Sequence, residues 1–312
     1  MLEEYGLKRI TLDLPFRLDH VNCFLAEGEQ GWTVIDAGLH NQQTVNRWET
    51  ELSRKNVTDI IVTHYHPDHF GYAGGLQAKH NARVSMSEID YDAAKNAWNQ
   101  AFLDELSGNY LLADIPDDQA KQMQANTEDF ISRITPYPEV NHFLEDGAIL
   151  SFGKHDYEVI STPGHSDGLI TFYNKEKDML LSTDHILPKI TPNISYWFHG
   201  EPNPLARYLE SLDKIEKVEA DFVIPSHGDP FHGANDRIEE IKSHHDERLQ
   251  QTLESIGNGN TVYSVCQSLF RKELTVHEMR FAVGETLAHL EYLRYKGECE
   301  RELRYGKYWY SL

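Results

Sequence analysis

The stretch THYHPDHFG, residues 63–71, decides how this sequence is interpreted. It begins at the last residue of DIIVT, residues 59–63, a short run rich in β-branched residues that is typical of a buried strand. His64 and His66 alternate in an extended segment, so their imidazoles can project to one side and chelate one ion. The proline that follows favours the start of a helix, whose first turn presents Asp68 and His69 beside the first pair. Because these groups are costly to desolvate together without a cation, the stretch predicts a metal site.

Length and charge narrow the function classes. A chain of 312 residues predicts about two domains. A hydrophobic fraction of 40 % and a mean hydropathy of −0.56 are typical of a folded globular protein. The 50 acidic residues outnumber the 29 basic ones, which gives a net charge of −21 with histidine neutral. Such a field repels polyanions and disfavours binding to nucleic acid or to an anionic membrane.

The N-terminal sequence carries acids where a secretory signal needs positive charge. No run approaches the roughly 18 apolar residues that indicate a membrane span. We therefore expect a cytoplasmic protein without a membrane partner. The three cysteines are scattered, which is typical of small buried hydrophobes rather than of a disulfide framework or a thiolate metal site.

Two strand-rich segments, residues 7–38 and 147–184, consist of short apolar runs separated by turn signals. The first is followed by helical spacing at residues 42–55. After the second, Asn203 and Pro204 are typical of the start of a helix. This order predicts an α/β fold in which two sheets pack face to face with helices outside.

Two further segments depart from this pattern. Residues 88–140 keep helical spacing and predict an insertion of two or more helices, which either packs on the body or covers a substrate pocket. From residue 236 a long helix, two further helical stretches and a hairpin follow, which is the order of a small winged-helix module. We therefore predict a catalytic domain over residues 1–235 and a C-terminal domain over residues 236–312.

Further candidate ligands follow other apolar runs of the chain. They are Asp36 in VIDAG, His165 in STPGHSDG, Asp184 in LLSTDH and His227 in VIPSHG. Each sits beside small or turn-forming residues that let the backbone approach a site closely. Taken singly, each could equally be a capping or turn residue. Their shared position at strand ends favours a functional role.

Together these residues resemble the metallo-β-lactamase-fold hydrolases. The similarity covers about residues 7–235 and rests on Asp36, the HxHxDH motif at residues 64–69, His165, Asp184 and His227. The order of body and C-terminal module is similar to the branch that contains a human β-lactamase-like endoribonuclease and many bacterial hydrolases. The stretch LAHLEYLRYKG, residues 287–297, is similar to the final helix of that branch. The resemblance implies a four-layer αββα sandwich with a helical insertion and a small winged-helix-like C-terminal domain.

The resemblance also implies a role for each motif residue. His64, His66 and His165 would bind a first zinc ion, and Asp68, His69 and His227 a second. Asp184 would bridge the two ions, and Asp36 would orient ligands through the other nitrogen of an imidazole. Nitrogen and oxygen ligands without a thiolate suit two Zn²⁺ ions, although Fe and Mn remain compatible.

Two such ions hold a bridging water as hydroxide near neutral pH and polarise the bond that it attacks. Asp68 is the predicted catalytic residue that positions this hydroxide. His185 is a second catalytic candidate, as a proton donor to the leaving group, although adjacent side chains in an extended chain point apart. Tyr196, Trp197 and Phe198 are predicted either to form substrate-binding walls or to pack in the core.

Three functions remain open on the sequence. The first is a zinc-dependent hydrolase of a thioester or other ester-like small molecule. The second is a phosphodiesterase or endoribonuclease, which would need a local basic track that the sequence does not show. The third is a metal-bound winged-helix binding or regulatory protein. For the C-terminal module we expect instead that it closes the active-site cleft or forms a homodimer contact.

Overall fold

Two six-stranded sheets pack face to face between outer helices in the computed structural model of this protein, which describes residues 2–312. The first sheet contains, in spatial order, β1 (Leu7–Asp13), β2 (His20–Glu27), β3 (Trp32–Ile35), β4 (Val57–Ile61), β5 (Arg83–Met86) and β6 (His142–Phe143). Strands β1 to β3 pair antiparallel, and β3 to β6 pair parallel. The predicted four-layer α/β arrangement is confirmed.

The second sheet mirrors the first in size. It contains β7 (Ile149–Phe152), β8 (His155–Ser161), β9 (Ile170–Asn174), β10 (Met179–Thr183), β11 (Phe222–Pro225) and β12 (Phe231–His232). Their spatial order is β12, β11, β10, β9, β8, β7. The β10 and β11 strands run parallel, and the other neighbouring pairs run antiparallel.

The alternation of side chains along each strand explains why the sheets are covered on both faces. In β2, Phe24 is buried between the two sheets, whereas Cys23 and Leu25 pack beneath the helices outside the first sheet. In β10, Leu181 faces the space between the sheets and Leu180 faces the outer helices. Both faces of these strands are therefore apolar, as their near-continuous hydrophobic runs predict.

Outer helices follow the strands at which the predicted ligands lie. They are α1 (Gln42–Glu51), α2 (Pro67–Phe70) and α3 (Ala73–His80) on the first sheet, and α7 (Pro204–Glu216) on the second. Asn203 caps α7 as predicted, since its side-chain oxygen accepts a hydrogen bond from the backbone nitrogen of Ala206 at 3.4 Å. Pro204 occupies the first turn, where its missing N–H is not needed.

The insertion is helical, as the sequence predicts. It contains α4 (Glu88–Ala97), α5 (Gln100–Leu112) and α6 (Asp117–Glu128), followed by a short 3₁₀ turn at Ile131–Arg133. Leu103, Leu106 and Met123 are buried in a core that includes residues of α7 and of the C-terminal helices. The insertion therefore packs on the body and the C-terminal part at once.

The C-terminal part has the predicted order of helices followed by a hairpin. It contains α8 (Ala234–Ile256), β13 (Asn260–Thr261), α9 (Val262–Leu269), α10 (Val276–Lys296), β14 (Glu300–Arg304) and β15 (Lys307–Ser311), with the strands in the order β13, β15, β14. Buried Glu291 ties α10 to the hairpin, because it accepts hydrogen bonds from Arg301 at 2.9 Å and from the Tyr310 hydroxyl at 2.5 Å. Across residues 2–312, none of the helices combines the length and the apolar character that a bilayer crossing requires.

Candidate metal centre

The sequence-predicted ligands meet at one edge of the two sheets. Five of them come from the half of the fold that contains the first sheet. Asp36 follows β3, and His64 and His66 follow β4. Helix α2 carries Asp68 and His69. The second sheet contributes His165 from the loop between β8 and β9, Asp184 after β10 and His227 after β11. Strands β3 and β4, and likewise β10 and β11, are parallel, so their carboxyl ends open at the same edge.

A first group of donors consists of three imidazoles. One nitrogen each from His64, His66 and His165 lies within 4.8 Å of the others. Nδ1 of His66 lies 2.9 Å from Nε2 of His165. The proline at residue 67 begins α2 directly after His66, so the extended segment ends there and the next ligands come from a helix.

A second group combines a carboxylate with two imidazoles. Oδ2 of Asp68 lies 3.5 Å from Nε2 of His69 and 3.5 Å from Nε2 of His227. Both histidines are buried, whereas Asp68 retains some exposure toward the adjoining cavity. Asp68 is therefore placed where it can contact both an ion and a molecule in the cavity.

Asp184 lies between the two groups. Its Oδ2 atom is 3.3 Å from Nε2 of His165 in the first group. The same atom is 3.5 Å from Nε2 of His69 and 3.2 Å from Nε2 of His227 in the second. A single carboxylate oxygen thus faces donors of both groups.

The donors fit metal ions by chemistry and by spacing. Nε2 of His64, His69 and His227 is buried and has no hydrogen-bond partner among the described residues, and the same is true of Oδ1 of Asp184. Buried polar atoms are normally paired, so these atoms require another partner. Ligands about 2.0–2.1 Å from a tetrahedral ion lie about 3.3–3.4 Å from each other. The measured separations of 3.2–3.5 Å around Asp184 match this spacing.

Three imidazoles, those of His69, His165 and His227, have the outer nitrogen Nδ1 held by a fixed acceptor. His69 Nδ1 lies 2.8 Å from Oδ2 of Asp36, which is almost fully buried. Nδ1 of His165 donates to the carbonyl oxygen of Asn193 at 2.8 Å, and Nδ1 of His227 donates to that of His20 at 2.6 Å. These hydrogen bonds fix the ring orientation and turn Nε2 toward the centre. The structure thus places the Asp36 carboxylate against the outer nitrogen of His69, and its role in orienting a metal ligand stays a prediction.

Local backbone geometry helps to aim two of the carboxylates. Asp36 has a φ of 58°, in the left-handed region, and Thr183 directly before Asp184 has a φ of 50°. A β-branched residue rarely adopts this conformation, and such strain concentrates at functional sites. The pairing register also shifts between Leu181 and Thr183 at the end of β10. The strand therefore turns sharply at the position that presents Asp184.

Burial and crowding shift the pKa values of the site in opposite directions. Burial, together with neighbouring histidines, holds the pKa of His64 and of His66 well below the usual range. Burial alone would raise the pKa of Asp68, but His69 and His227 outweigh it and lower this pKa to about 2. The Asp68 carboxylate is therefore ionised, and the His64 and His66 imidazoles are neutral, at physiological pH, as metal ligands require. Burial alone would lower the pKa of His69 and of His227, but Asp184 and Asp68 outweigh it and raise both, so these imidazoles release a proton when they bind a metal ion.

Asp90 supports the centre from α4, a residue that the sequence interpretation missed. Its carboxylate accepts hydrogen bonds from the backbone nitrogen of Tyr65 at 3.0 Å, the Ser166 hydroxyl at 2.6 Å and the backbone nitrogen of Gly168 at 2.6 Å. Tyr65 lies between two ligands and Ser166 follows His165, so one buried carboxylate joins both ligand loops. In the sequence it resembles an ordinary acidic residue in the first turn of a helix.

The C-terminal helix α10 supports the loop that carries Asn193. The backbone nitrogen of Tyr196 donates to the carbonyl oxygen of Gly284 at 3.0 Å. A Cβ atom at Gly284 would lie 2.6 Å from Oγ of Ser195, so only glycine allows this close approach. Asn193 Nδ2 also donates to Glu285 at 3.4 Å. Helix α10 therefore contacts the segment whose carbonyl holds His165.

A cavity of about 840 Å³ opens onto the ligands. Its lining includes His66, Asp68, His165, Asp184 and His227. The insertion and the C-terminal part supply much of the rest of the wall, including Trp98, Phe102, Tyr110, Phe130, Arg280 and Phe281. The predicted wall residues Tyr196, Trp197 and Phe198 also line this cavity. The insertion thus covers the cavity as well as packing on the body.

His185 is not brought to this site. Its ring packs against Tyr208 at 5.3 Å between centroids, and it does not line the cavity. Burial lowers its pKa to about 3, and neither ring nitrogen has a partner among residues 2–312. Asp184 and His185 lie in a turn after β10, in which the backbone nitrogen of His185 donates to the carbonyl oxygen of Ser182 at 2.9 Å, and only Asp184 of the two lines the cavity. The geometry gives no support to the proton-donor role predicted for it.

Comparison with known proteins agrees with the geometry. The sequence profile of the Metallo-beta-lactamase superfamily matches residues 16–227, which is more than half of the chain. The chain belongs to the metallo-β-lactamase superfamily. A second profile, described as the Metallo-beta-lactamase-like C-terminal domain, matches residues 249–311 of this superfamily member. The predicted family and its C-terminal module are therefore confirmed, whereas the winged-helix character of the module stays a prediction.

Two solved structures and one curated relative are similar to this protein over nearly its whole length. A metallo-beta-lactamase family protein from Thermus thermophilus is 31 % identical, with a TM-score of 0.86 and 98 % of each chain covered. A beta-lactamase domain protein from Burkholderia ambifaria is also 31 % identical, with a TM-score of 0.87 over 98 % of this chain and 92 % of that one. The probable metallo-hydrolase YqjP of Bacillus subtilis is 23 % identical over 96 % of this chain and 94 % of its own. The protein is accordingly a metallo-hydrolase of this superfamily.

Proposed function

We propose that the protein is a dinuclear zinc hydrolase that cleaves a thioester or another ester-like small molecule. The position of Asp184 carries the proposal, because its Oδ2 atom lies within 3.5 Å of donors from both ligand groups. His64, His66 and His165 would hold one ion, Asp68, His69 and His227 the other, and Asp184 both. These nitrogen and oxygen donors include no thiolate and suit Zn²⁺.

Bound zinc ions supply an activated water near neutral pH and Lewis acidity toward the carbonyl group that is attacked. The residues of this chain do the rest. Asp68 borders both the second ligand group and the cavity, so its carboxylate can orient the attacking water and accept its proton. The hydrogen bonds from His69 to Asp36 and from His165 to Asn193 keep the ligands in position before substrate arrives.

The cavity favours a small organic substrate. Its walls are largely aromatic and aliphatic, and such walls exclude water and hold apolar groups. A relative named hydroxyacylglutathione hydrolase GloC, from Haemophilus influenzae, is 26 % identical over 55 % of this chain and 69 % of its own. A hydroxyacylglutathione is a thioester, which supports thioesters as the first class to test. RNA cleavage is less well supported, because a chain with a net charge of −21 repels a polyanion.

The proposal is tested by metal analysis and a substrate screen. We expect about two zinc ions per chain and hydrolysis of aryl or alkyl thioesters by the wild-type protein. His66→Ala should lose activity, whereas His232→Ala, which changes an exposed histidine outside the cavity, should keep it. Activity that survives in His66→Ala, or turnover by protein that contains no metal, would contradict the proposal.

A further inference from the structure

Arg280 is a buried cation in the wall of the cavity. It lies on α10, and only 6 % of its surface is exposed. Its Nη1 atom donates to Oδ1 of Asn126 at 3.1 Å, and its guanidinium lies 5.7 Å from the ring centre of Phe130. Its Nε atom is buried and has no hydrogen-bond partner in the described chain. Part of its hydrogen-bonding capacity is therefore unused.

The carboxylates nearest to Arg280 along α10 are engaged elsewhere. Glu278 accepts hydrogen bonds from the backbone and the side chain of Thr275, each at 2.9 Å, and Glu285 faces Arg248 at 3.4 Å. Arg280 itself forms no ion pair within 4.0 Å among residues 2–312. A buried charge without a counter-ion is costly. None of the 50 acidic residues of this chain, which all lie within residues 2–312, supplies a carboxylate to Arg280, so its counter-ion is expected to come from a bound molecule.

Two other basic side chains near Arg280 do not fill the same role. Arg17 also lines the cavity, but its side chain is 80 % exposed and lies 3.9 Å from Glu278. His277 shares Asn126 with Arg280, at 3.3 Å. Burial and the charge of Arg280 lower the pKa of His277 to about 4, so this imidazole is neutral at pH 7. The buried positive charge at this part of the wall is that of Arg280.

We propose that the substrate carries an anionic oxygen group, a carboxylate in the simplest case, that binds Arg280 while its ester-like bond lies at the metal centre. This inference rests on the proposed function and specifies its substrate class. A guanidinium presents parallel N–H groups that match a carboxylate. Aromatic residues of the wall, among them Phe130 and Trp197, would contact the apolar chain or ring that joins the two ends.

Binding of matched acids to the zinc-loaded protein tests this inference without turnover. Octanedioate offers one carboxylate to the metal ions and one to Arg280, whereas its monomethyl ester offers only one. By calorimetry we expect the diacid to bind at least about tenfold more tightly, as one charge-assisted hydrogen-bond pair allows. Arg280→Met should reduce this ratio to about one, and Arg133→Met should preserve it, because Arg133 also stacks on Phe130 but does not line the cavity.

Thermal unfolding separates a binding role from a structural one. Because Arg280→Met removes a buried unpaired charge, the Tm should stay the same or rise while the diacid preference is lost. Equal binding of the two acids to the wild type, or a preference retained by folded Arg280→Met, would overturn the inference. If no thioester is cleaved but the diacid preference holds, the proposed reaction fails and the anion site stands. Efficient thioester cleavage without any carboxylate preference would instead support the reaction and overturn the anion site.

Discussion

Asp90→Asn should weaken zinc binding although Asp90 contacts no ligand atom. The carboxylate accepts three hydrogen bonds, of 2.6 to 3.0 Å, from the loop of His64 and His66 and from the loop of His165. Two of the three donors are backbone N–H groups, which cannot reverse their direction. An amide keeps one accepting oxygen and turns its NH₂ group toward a donor, so at least one of these bonds must be lost.

The magnitude follows from the number of bonds and from what they support. A hydrogen bond to a charged group contributes about 1.5–3 kcal/mol, and loss of a residue that orients metal ligands typically reduces affinity about 10- to 100-fold. We expect a loss of zinc affinity in this range for Asp90→Asn. Asp90→Ala leaves the Tyr65 and Gly168 nitrogens buried without an acceptor, and should lower the free energy of unfolding by about 3–5 kcal/mol.

A competition titration of zinc against a chelator measures the first effect, and urea unfolding measures the second. Asp92→Asn is the matched control, because Asp92 lies on the same helix but is exposed and pairs with Lys95. It should bind zinc as the wild type does. Wild-type zinc affinity in Asp90→Asn would refute the argument that Asp90 positions both ligand loops.

Three further predictions concern packing, the cavity and pH. In Gly168→Ala, a Cβ would contact Oγ of Ser87 and lie 2.7 Å from the backbone nitrogen of Asp90, so zinc affinity and Tm should both fall. Gly108→Ala, inside α5 with open space around it, should leave zinc affinity unchanged and should keep or raise the Tm, because alanine favours a helix over glycine. Trp197→Ala removes part of the cavity wall and should raise the KM for aryl thioesters several-fold. Metal analysis should show an unchanged zinc content. An unchanged KM would contradict a contact between Trp197 and the substrate. Burial lowers the pKa of His289 to about 4 from the 6.5 of an exposed histidine. The folded state therefore gains free energy of unfolding above pH 6.5, and this gain is lost as the pH falls toward 4. In His289→Gln, the free energy of urea unfolding should change with pH by up to about 1.4 kcal/mol per pH unit less over this range.

The sequence could indicate the candidate ligands because these residues are close together in the chain or follow a recognisable strand. Four of them lie within six residues, namely His64, His66, Asp68 and His69. Their spacing around the end of a strand already indicates that their side chains can meet at one point. Asp184, His165 and His227 were indicated by their positions at the ends of predicted strands in the second half of the catalytic domain. The parallel pairing of β10 with β11 brings these distant positions to one edge, which the sequence predicts only as a class of fold.

The supporting residues could not be found in the same way. Asp90 is 76 residues from Ser166, and its burial depends on how α4 packs on the ligand loops. Asn193 acts through a backbone carbonyl, which leaves no trace in the residue type. Arg280 is one basic residue among 29, and the wall around it forms only when the insertion and α10 come together. Such roles are fixed by tertiary contacts rather than by spacing along the chain.

Anomalous scattering from crystals grown with zinc tests the central claim most directly. The account predicts two zinc peaks roughly 3.5–4 Å apart, one bound by His64, His66 and His165 and one by Asp68, His69 and His227, with Asp184 touching both. A single peak, or zinc bound outside these seven side chains, would contradict it.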